Sequence, residues 1–325
     1  MSLKKAAACV RKNKSFLVTC HTNAEADALG AGLAFCRLLK ALGKNALMVN
    51  EEKPLGEYDF LPGIQEIKIR PKGRLDFDFD CLAVLDCSDL LRTGEVYRLK
   101  PDAAAILNID HHVSNINFGD VNWVEPGASS ASEMVYRLYK ELEVPIGPET
   151  ALLLYAGIMT DTGSFRYDNT TSDTHKIIAE LLRHKINVSE VYRNIYGNIP
   201  FTDMLLLAKV LPTMQRNFNG RVIWFHVRKR LLRQHKNFSF DFSEQVLSFA
   251  RLIKDVEVCV LLKENLGPDN EIRVNFRSQG SVDVNKIAAC FGGGGHKAAS
   301  GATIKGDIVK IRKRVLNKIR EALDK

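Results

Sequence analysis

The sequence predicts an α/β fold: a parallel-sheet N-terminal domain with helices on both faces, joined by a helical linker to a smaller α/β C-terminal domain. Three observations predict it. Short apolar runs alternate with longer amphipathic ones along residues 1–189. The short runs are continuously hydrophobic, as expected of strands in a parallel sheet buried on both faces. Titratable residues stand directly behind several of these runs, where an open parallel sheet puts its ligand-binding edge.

SFLVTC (15–20) is the first strand, ending at His21. ALGAGLAFCRLLKALG (28–43) has helical spacing, with Leu29, Leu33, Phe35, Leu38 and Leu39 broadly on one side. NALMVN (45–50), CLAVLDC (81–87) and AAAILNI (103–109) are further strands. SSASEMVYRLYKEL (129–142) is a helix, and Ser130 with Glu133 fits a capping box. ETALLLYAGIMTDTG (149–163) reads as a buried helix running into a turn. Residues 190–215 are the helical linker, broken by Pro200 and Pro212. Beyond it RVIWFHV (221–227), VEVCVLLKE (256–264) and EIRVNFRS (271–278) are strands, the last two joined as a hairpin by NLGPDN. IVKIRKRVLNKIREALDK is a basic amphipathic helix. The domains are therefore 1–189 and 216–325.

Composition sets outer limits. The chain has 325 residues, 46% hydrophobic and 26% charged, ordinary for a soluble globular protein. No apolar stretch reaches membrane-spanning length. Arg11, Lys12 and Lys14 interrupt the N-terminal apolar run, against a secretory signal. Seven cysteines, with no CxxC pair, indicate neither a disulfide framework nor a cysteine zinc site. The expectation is a reduced, cytoplasmic protein with no membrane association. Charge is uneven: residues 1–215 carry 24 Lys+Arg against 27 Asp+Glu, and residues 216–325 carry 22 against 11. A basic C-terminal part beside an acidic N-terminal part suits a polyanionic ligand, although a solvated basic surface accounts for the charge equally well.

The titratable residues behind the apolar runs are His21, Glu25 and Asp27 in HTNAEAD, Asp86 after the strand CLAVL, Asp110, His111 and His112 after the strand AAILNI, and Asp161 after the apolar helix LLLYAGIMT. Singly each has a bland role: a strand terminus, a solvated loop acid, a helix cap, a turn residue, a satisfied loop histidine. Together they put several carboxylates on one rim, which is costly unless cations neutralise them. The ligand number suits two ions sharing a carboxylate. Carboxylates and imidazoles without thiolate suit Mn²⁺, with Mg²⁺, Co²⁺ or Fe²⁺ as alternatives. Two such ions activate a water and hold phosphoryl oxygens through an in-line displacement.

The order HTNAEADALGA, VLDCSD, DHH and TDTGSFRY resembles the DHH phosphoesterase superfamily. FRSQGSVDVNKIAACFGGGGHKAASG (276–301) is similar to the DHH-associated domain with its GGGGH signature. The resemblance covers nearly the whole chain. It implies that His21, Glu25 and Asp86 bind one divalent ion, and Asp27, Asp86, His111 and Asp161 the other, with Asp86 shared. His112 would face the scissile phosphate, and Asp110 would orient the histidines. The family commonly has Pro-Asp where this chain has Ala24-Glu25, and Glu25 reaches one methylene further.

In the C-terminal domain, consecutive glycines let backbone approach a ligand and expose N–H groups to an anion. Gly293, Gly294, Gly295 and His296 are the expected substrate contacts, and Arg277, at the family's FRS position, the expected phosphate clamp; a plain flexible turn is the alternative. Arg273 is read as an exposed strand charge and Phe276 as core.

Family members with this two-domain layout resemble nanoRNases, oligoribonucleases that degrade very short RNAs. Others dephosphorylate 3′-phosphoadenosine 5′-phosphate or hydrolyse linear and cyclic dinucleotides. The resemblance thus implies a metal-dependent phosphodiesterase acting on short single-stranded RNA or a small nucleotide, with a homodimer left open. A cyclic-dinucleotide phosphodiesterase, a RecJ-type single-strand exonuclease and a nucleotide-binding module with weakened chemistry are the rivals.

Overall fold

The computed structural model describes residues 2–198, 200–233, 242–265 and 270–324. It divides into two compact units, Met1–Asn198 and Ile199–Lys325. The expected linker is therefore split. Residues 190–198 belong to the first unit, while Leu206, Leu207 and Val210 pack into a core of the second.

In the first unit, α1 (Leu3–Lys12), β1 (Ser15–Thr19), α2 (Ala26–Ala41) and β2 (Asn45–Asn50) are followed by the short β3 (Lys68–Ile69). Then come β4 (Cys81–Leu85), β5 (Ala105–Asp110), β6 (Val121–Val124), α3 (Ala131–Glu141), α4 (Pro148–Asp161), α5 (Ser172–Leu182) and α6 (Val188–Tyr192). The six strands form one sheet in the order β3-β2-β1-β4-β5-β6, and every pairing is parallel. Successive strand residues point to opposite faces. Phe16, Val18, Cys81, Ala83 and Leu85 enter a core with residues of α1 to α5. Leu17, Leu82 and Val84 enter a second core, closed by Phe79 and by 3₁₀ turns at Leu90–Thr93 and Val96–Leu99. Long helices cover one face and short turns the other, which is why the strand runs show no polar alternation.

Helix starts show where local expectation bends. Ser130 Oγ accepts from the Glu133 backbone N–H, as a capping box requires. Glu133 does not return the bond to Ser130. Its carboxylate takes the Ser129 hydroxyl at 2.6 Å and the Thr174 hydroxyl at 3.2 Å, tying α3 to α5.

The second unit runs α7 (Phe201–Val210), β7 (Gln215–Asn217), β8 (Val222–Val227), α8 (Lys229–Arg233), α9 (Phe242–Arg251), β9 (Val258–Glu264) and β10 (Glu271–Ser278). It continues with α10 (Val284–Ala289), β11 (Gly294–Gly295), β12 (Ala299–Lys305) and α11 (Ile308–Leu323). Its mixed sheet has the order β11-β12-β10-β9-β8-β7, with β8 and β9 parallel. β9 and β10 pair antiparallel, as a hairpin requires, but residues 266–269 of the expected NLGPDN turn lie outside the described residues. Helices α10 and α11 pack on one face, and α7 to α9 on the other. On α11 the buried Ile311, Val315, Ile319 and Leu323 recur every four residues. Burying each contributes about 1.5–3 kcal/mol, enough to hold the helix despite its basic outer side. Among the described residues no helix is long and apolar enough to cross a membrane.

Candidate active site

Strand order reverses between β1 and β4: later strands add outward from each in opposite directions. Such a switch point opens a crevice at the strands' carboxyl ends. His21 lies just beyond β1, Asp86 immediately follows β4, and Asp110, His111 and His112 close β5. Asp27 sits in the first turn of α2, and Asp161 is the last residue of α4.

Asp86 turns its chain into the crevice with a left-handed backbone, φ 53°. Asp and Asn tolerate this conformation better than most residues. Asn108, fully buried on β5, clamps the bend: its amide donates to Val84 O at 3.2 Å and Cys87 O at 3.1 Å. The Asp86 N–H donates to Ile109 O at 2.9 Å. Strain at Asp86 is thus absorbed by hydrogen bonds to the neighbouring strand.

Two histidines approach Asp86 in the same way. His21 Nδ1 lies 2.8 Å from Thr22 O, and His111 Nδ1 lies 3.3 Å from Ala128 O. A carbonyl only accepts, so each Nδ1 carries its proton. In the neutral ring Nε2 then presents a lone pair. His21 Nε2 is 3.4 Å from Asp86 Oδ2, and His111 Nε2 is 3.4 Å from Asp86 Oδ1. His111 Nε2 also lies 3.3 Å from Asp161 Oδ2 and 3.9 Å from Asp27 Oδ2. Lone pairs facing carboxylates repel unless a proton or a cation stands between them. Asp86 Oδ1 is buried and makes no hydrogen bond among the described residues.

Asp27 does not cap its own helix. Its Oδ2 accepts from the Ala131 N–H at 2.7 Å and its Oδ1 from the Ser132 N–H at 2.8 Å. The positive N-terminal end of α3 therefore holds this carboxylate. Gly157 on α4 makes the approach feasible. A Cβ there would lie 2.1 Å from Ser132 Oγ and 2.7 Å from Asp27 Oδ1.

Burial and the negative charge of Asp86 push the Asp27 carboxyl up to about 6. Burial, with repulsion from Asp27, Asp86 and Glu25, pushes Asp161 well above the carboxylate range, although His111 opposes this. Burial also works against ionised Asp86, but His111, His21 and His112 together hold it well below the usual value. Desolvation disfavours charged His111, yet Asp161, Asp86 and Asp27 raise it well above the ordinary imidazole. Protons are thus drawn into the place where a cation would relieve the same repulsion. The donors are imidazole nitrogen and carboxylate oxygen only, a set that fits a divalent ion such as manganese. Backbone carbonyls orienting the ligating imidazoles are the usual support of such a centre.

Asp27, Asp86, His111 and Asp161 are brought together, with His21 against Asp86. Glu25 is exposed as the residue preceding α2, makes no side-chain capping bond, and acts on Asp161 through its charge. His112 Nδ1 is 2.7 Å from Asp110 Oδ1, so Asp110 orients His112; His111 is oriented by Ala128 O instead.

In the second unit, Arg277 is already paired. Its Nη2 lies 2.6 Å and its Nε 2.8 Å from Glu244 Oε2, while Arg251 holds the other Glu244 oxygen at 2.9 Å. Arg273 is exposed, with Nη1 at 3.3 Å from Thr303 Oγ1, and Phe276 is fully buried. The glycine run forms a tight hairpin. Gly294 pairs with Gly301 and Gly295 with Ser300, and His296 sits at the turn, exchanging backbone bonds with Ala299. A Cβ at Gly293 would meet Gly301 O at 2.1 Å, and one at Gly295 would meet Ala299 O at 2.5 Å. These two glycines therefore have a packing reason, whereas a Cβ at Gly294 would clash with nothing.

Sequence reasoning missed Asn108, Asn115, Ser132 and Gly157. The signal available was a polar Asn inside the apolar AILNI and a second one closing HHVSN.

Residues 15–158 match the DHH family, N-terminal domain, and residues 225–325 match the DHHA1 domain. The bifunctional oligoribonuclease and PAP phosphatase NrnA of Thermus thermophilus is 32% identical over 94% of this chain and 89% of its own. The protein of the same name from Bacillus subtilis is 30% identical over 87% of each chain. The crystal structure of an exopolyphosphatase-related protein from Bacteroides fragilis superposes with a TM-score of 0.88 at 25% identity, covering 99% of this chain and 97% of that one.

Proposed function

Because the chain belongs to the DHH family and carries its DHHA1 domain, we propose that it is a phosphoesterase that hydrolyses very short RNA to mononucleotides and also dephosphorylates 3′-phosphoadenosine 5′-phosphate. The observation that carries the reading is the convergence of His21 and His111 Nε2 on buried Asp86, with Asp27 and Asp161 against His111.

His21, Glu25 and Asp86 would hold one divalent ion, and Asp27, Asp86, His111 and Asp161 a second, manganese being the ion we expect. When bound, such ions lower the pKa of water and neutralise charge on the phosphoryl oxygens. The protein's own residues do the rest. The α3 N-terminus and the Asn108 clamp fix Asp27 and Asp86 before substrate arrives, so little reorganisation is needed. Asp110 commits His112 Nδ1, so the ring's work on substrate falls to Nε2. Water adds to phosphorus as the bond to the leaving nucleoside oxygen breaks. That oxygen takes a proton from His112 Nε2; the water's proton goes to solvent, which reprotonates His112. Arg277, Gly293, Gly294, Gly295 and His296 capture the nucleotide, Arg277 exchanging its Glu244 partner for phosphate. A cytoplasmic location and metal-dependent turnover without membrane contact belong to the same reading.

The test is a panel of two- to five-residue RNAs, 3′-phosphoadenosine 5′-phosphate, cyclic di-AMP and longer single-stranded DNA, with Mn²⁺, Mg²⁺, Co²⁺ or no metal. Fastest turnover of the short RNAs with Mn²⁺ is expected. Preference for the cyclic dinucleotide or for long DNA would replace the substrate, and tight binding without turnover would replace the enzyme by a binding module.

A further inference from the structure

We infer that Asn115 is a positioning residue that fixes His112 for the leaving-group step by holding Asp110 on the far side from the imidazole. The inference rests on the reading of His112 given above.

Asp110 is fully buried at the end of β5. A buried carboxylate keeps a defined orientation only if both oxygens are held. One oxygen, Oδ1, accepts from His112 Nδ1 at 2.7 Å. The other, Oδ2, accepts from Asn115 Nδ2 at 2.6 Å. The same amide nitrogen lies 2.8 Å from Asn108 Oδ1 and 3.2 Å from Cys87 O. Asn115 Oδ1 in turn accepts from the Asn117 N–H at 2.7 Å, which settles which end of the amide is nitrogen.

Asn115 therefore joins two supports. Through Asn108 it is tied to the carbonyls on either side of Asp86. Through Asp110 it is tied to His112. The chain runs Val84 and Cys87 carbonyls, Asn108, Asn115, Asp110, His112, without a break longer than 3.2 Å. It locks the imidazole plane to the bend that presents Asp86. A carboxylate freed on the Oδ2 side would rotate about its Cβ–Cγ bond, and His112 Nε2 would lose its fixed aim. Asn115 touches neither substrate nor metal; it acts through Asp110.

The test uses two esters that differ in their need for a proton. A ribonucleoside alkoxide is a poor leaving group and needs protonation by His112. p-Nitrophenolate departs without it. In Asn115→Ala, kcat on the RNA dinucleotide should fall by roughly 10–100-fold, the usual loss for an outer supporting bond. KM should stay within about twofold, because ground-state binding is untouched. kcat on thymidine 5′-monophosphate p-nitrophenyl ester should fall less than about threefold, since that leaving group needs no general acid. Asn115→Asp keeps the volume and removes the amide donors, so it should show the same selective loss. Manganese affinity by calorimetry should match the parent in both variants.

Equal losses on both esters in Asn115→Asp, or a full dinucleotide rate in either variant, would overturn the inference. If Asn115→Ala melts early and loses both activities, Asn115→Asp alone decides. Failure of the parent protein on both esters with manganese would instead remove the proposed function.

Discussion

The carboxyl edge of the first sheet and the glycine hairpin of the second satisfy their polar groups in opposite ways. At the first, Asp86 Oδ1 is buried without a hydrogen bond among the described residues, and imidazole Nε2 atoms converge on carboxylates. At the second, Arg277 has its carboxylate, and backbone oxygens block the place a Cβ would take at Gly293 or Gly295. The difference teaches that local satisfaction, not motif density, marks where a missing component belongs. The edge needs a cation to become stable in its ionised form. Beside the hairpin the Arg277 charge is already matched, so a phosphate there would have to displace Glu244.

Several measurements would break or sharpen that contrast. The largest effect is expected from Asp86→Ala, which should lower kcat by ~10³-fold or more, as loss of transition-state charge stabilisation does. A near-normal metal-dependent rate would show that the edge does not depend on its central carboxylate. The next concerns pH. Asp27, raised to about 6, is protonated below that pH, and metal must displace the proton. Manganese affinity should therefore fall as pH drops through 6, by about tenfold per pH unit for each proton displaced, and level off only where every ligand has lost its proton. Asp161 and His111, both shifted upward, act in the same direction. Calorimetry between pH 5 and 8 reads this directly; a flat profile would mean that cations and protons do not compete at this edge.

The hairpin should respond differently. His296→Ala should raise KM by roughly tenfold with kcat nearly unchanged, the size of one hydrogen bond to a charged group. An equal loss in kcat would bring His296 into the chemistry itself. Gly293→Ala should destabilise the protein by about 1–3 kcal/mol in denaturant unfolding, since the added carbon meets the Gly301 carbonyl. No change would mean that the hairpin yields easily, and its glycines would then be explained by ligand approach.

Much of the first sheet was legible because its core strands carry continuous apolar runs. Phe16 and Val18 feed one core while Leu17 feeds the other, so no residue between Phe16 and Val18 is free to be polar. β3 and β6 were not legible: a two-residue strand and one reading VNWV give no period. Most acids and histidines of the candidate site were visible just behind apolar strands, since the fold brings those ends to one edge; Asp161 was visible at the end of an apolar helix. Their supports were not. Asn108 looks like an interruption within a strand, and Gly157 is an unremarked small residue inside a buried helix. The Arg277–Glu244 pair joins residues 33 apart on β10 and α9, a contact that only tertiary packing creates. Helix caps were half readable, since Ser130 is set by neighbours while Glu133 is recruited by Thr174 from another helix.

The left-handed bend at residue 86 also bears on how the protein can be handled. Asparagine tolerates that conformation as well as aspartate does, and Asn108 grips only the flanking carbonyls. Asp86→Asn thus offers a shape-preserving decoy, folded like the parent but robbed of one negative charge, suited to fishing uncleaved oligonucleotides from a mixture.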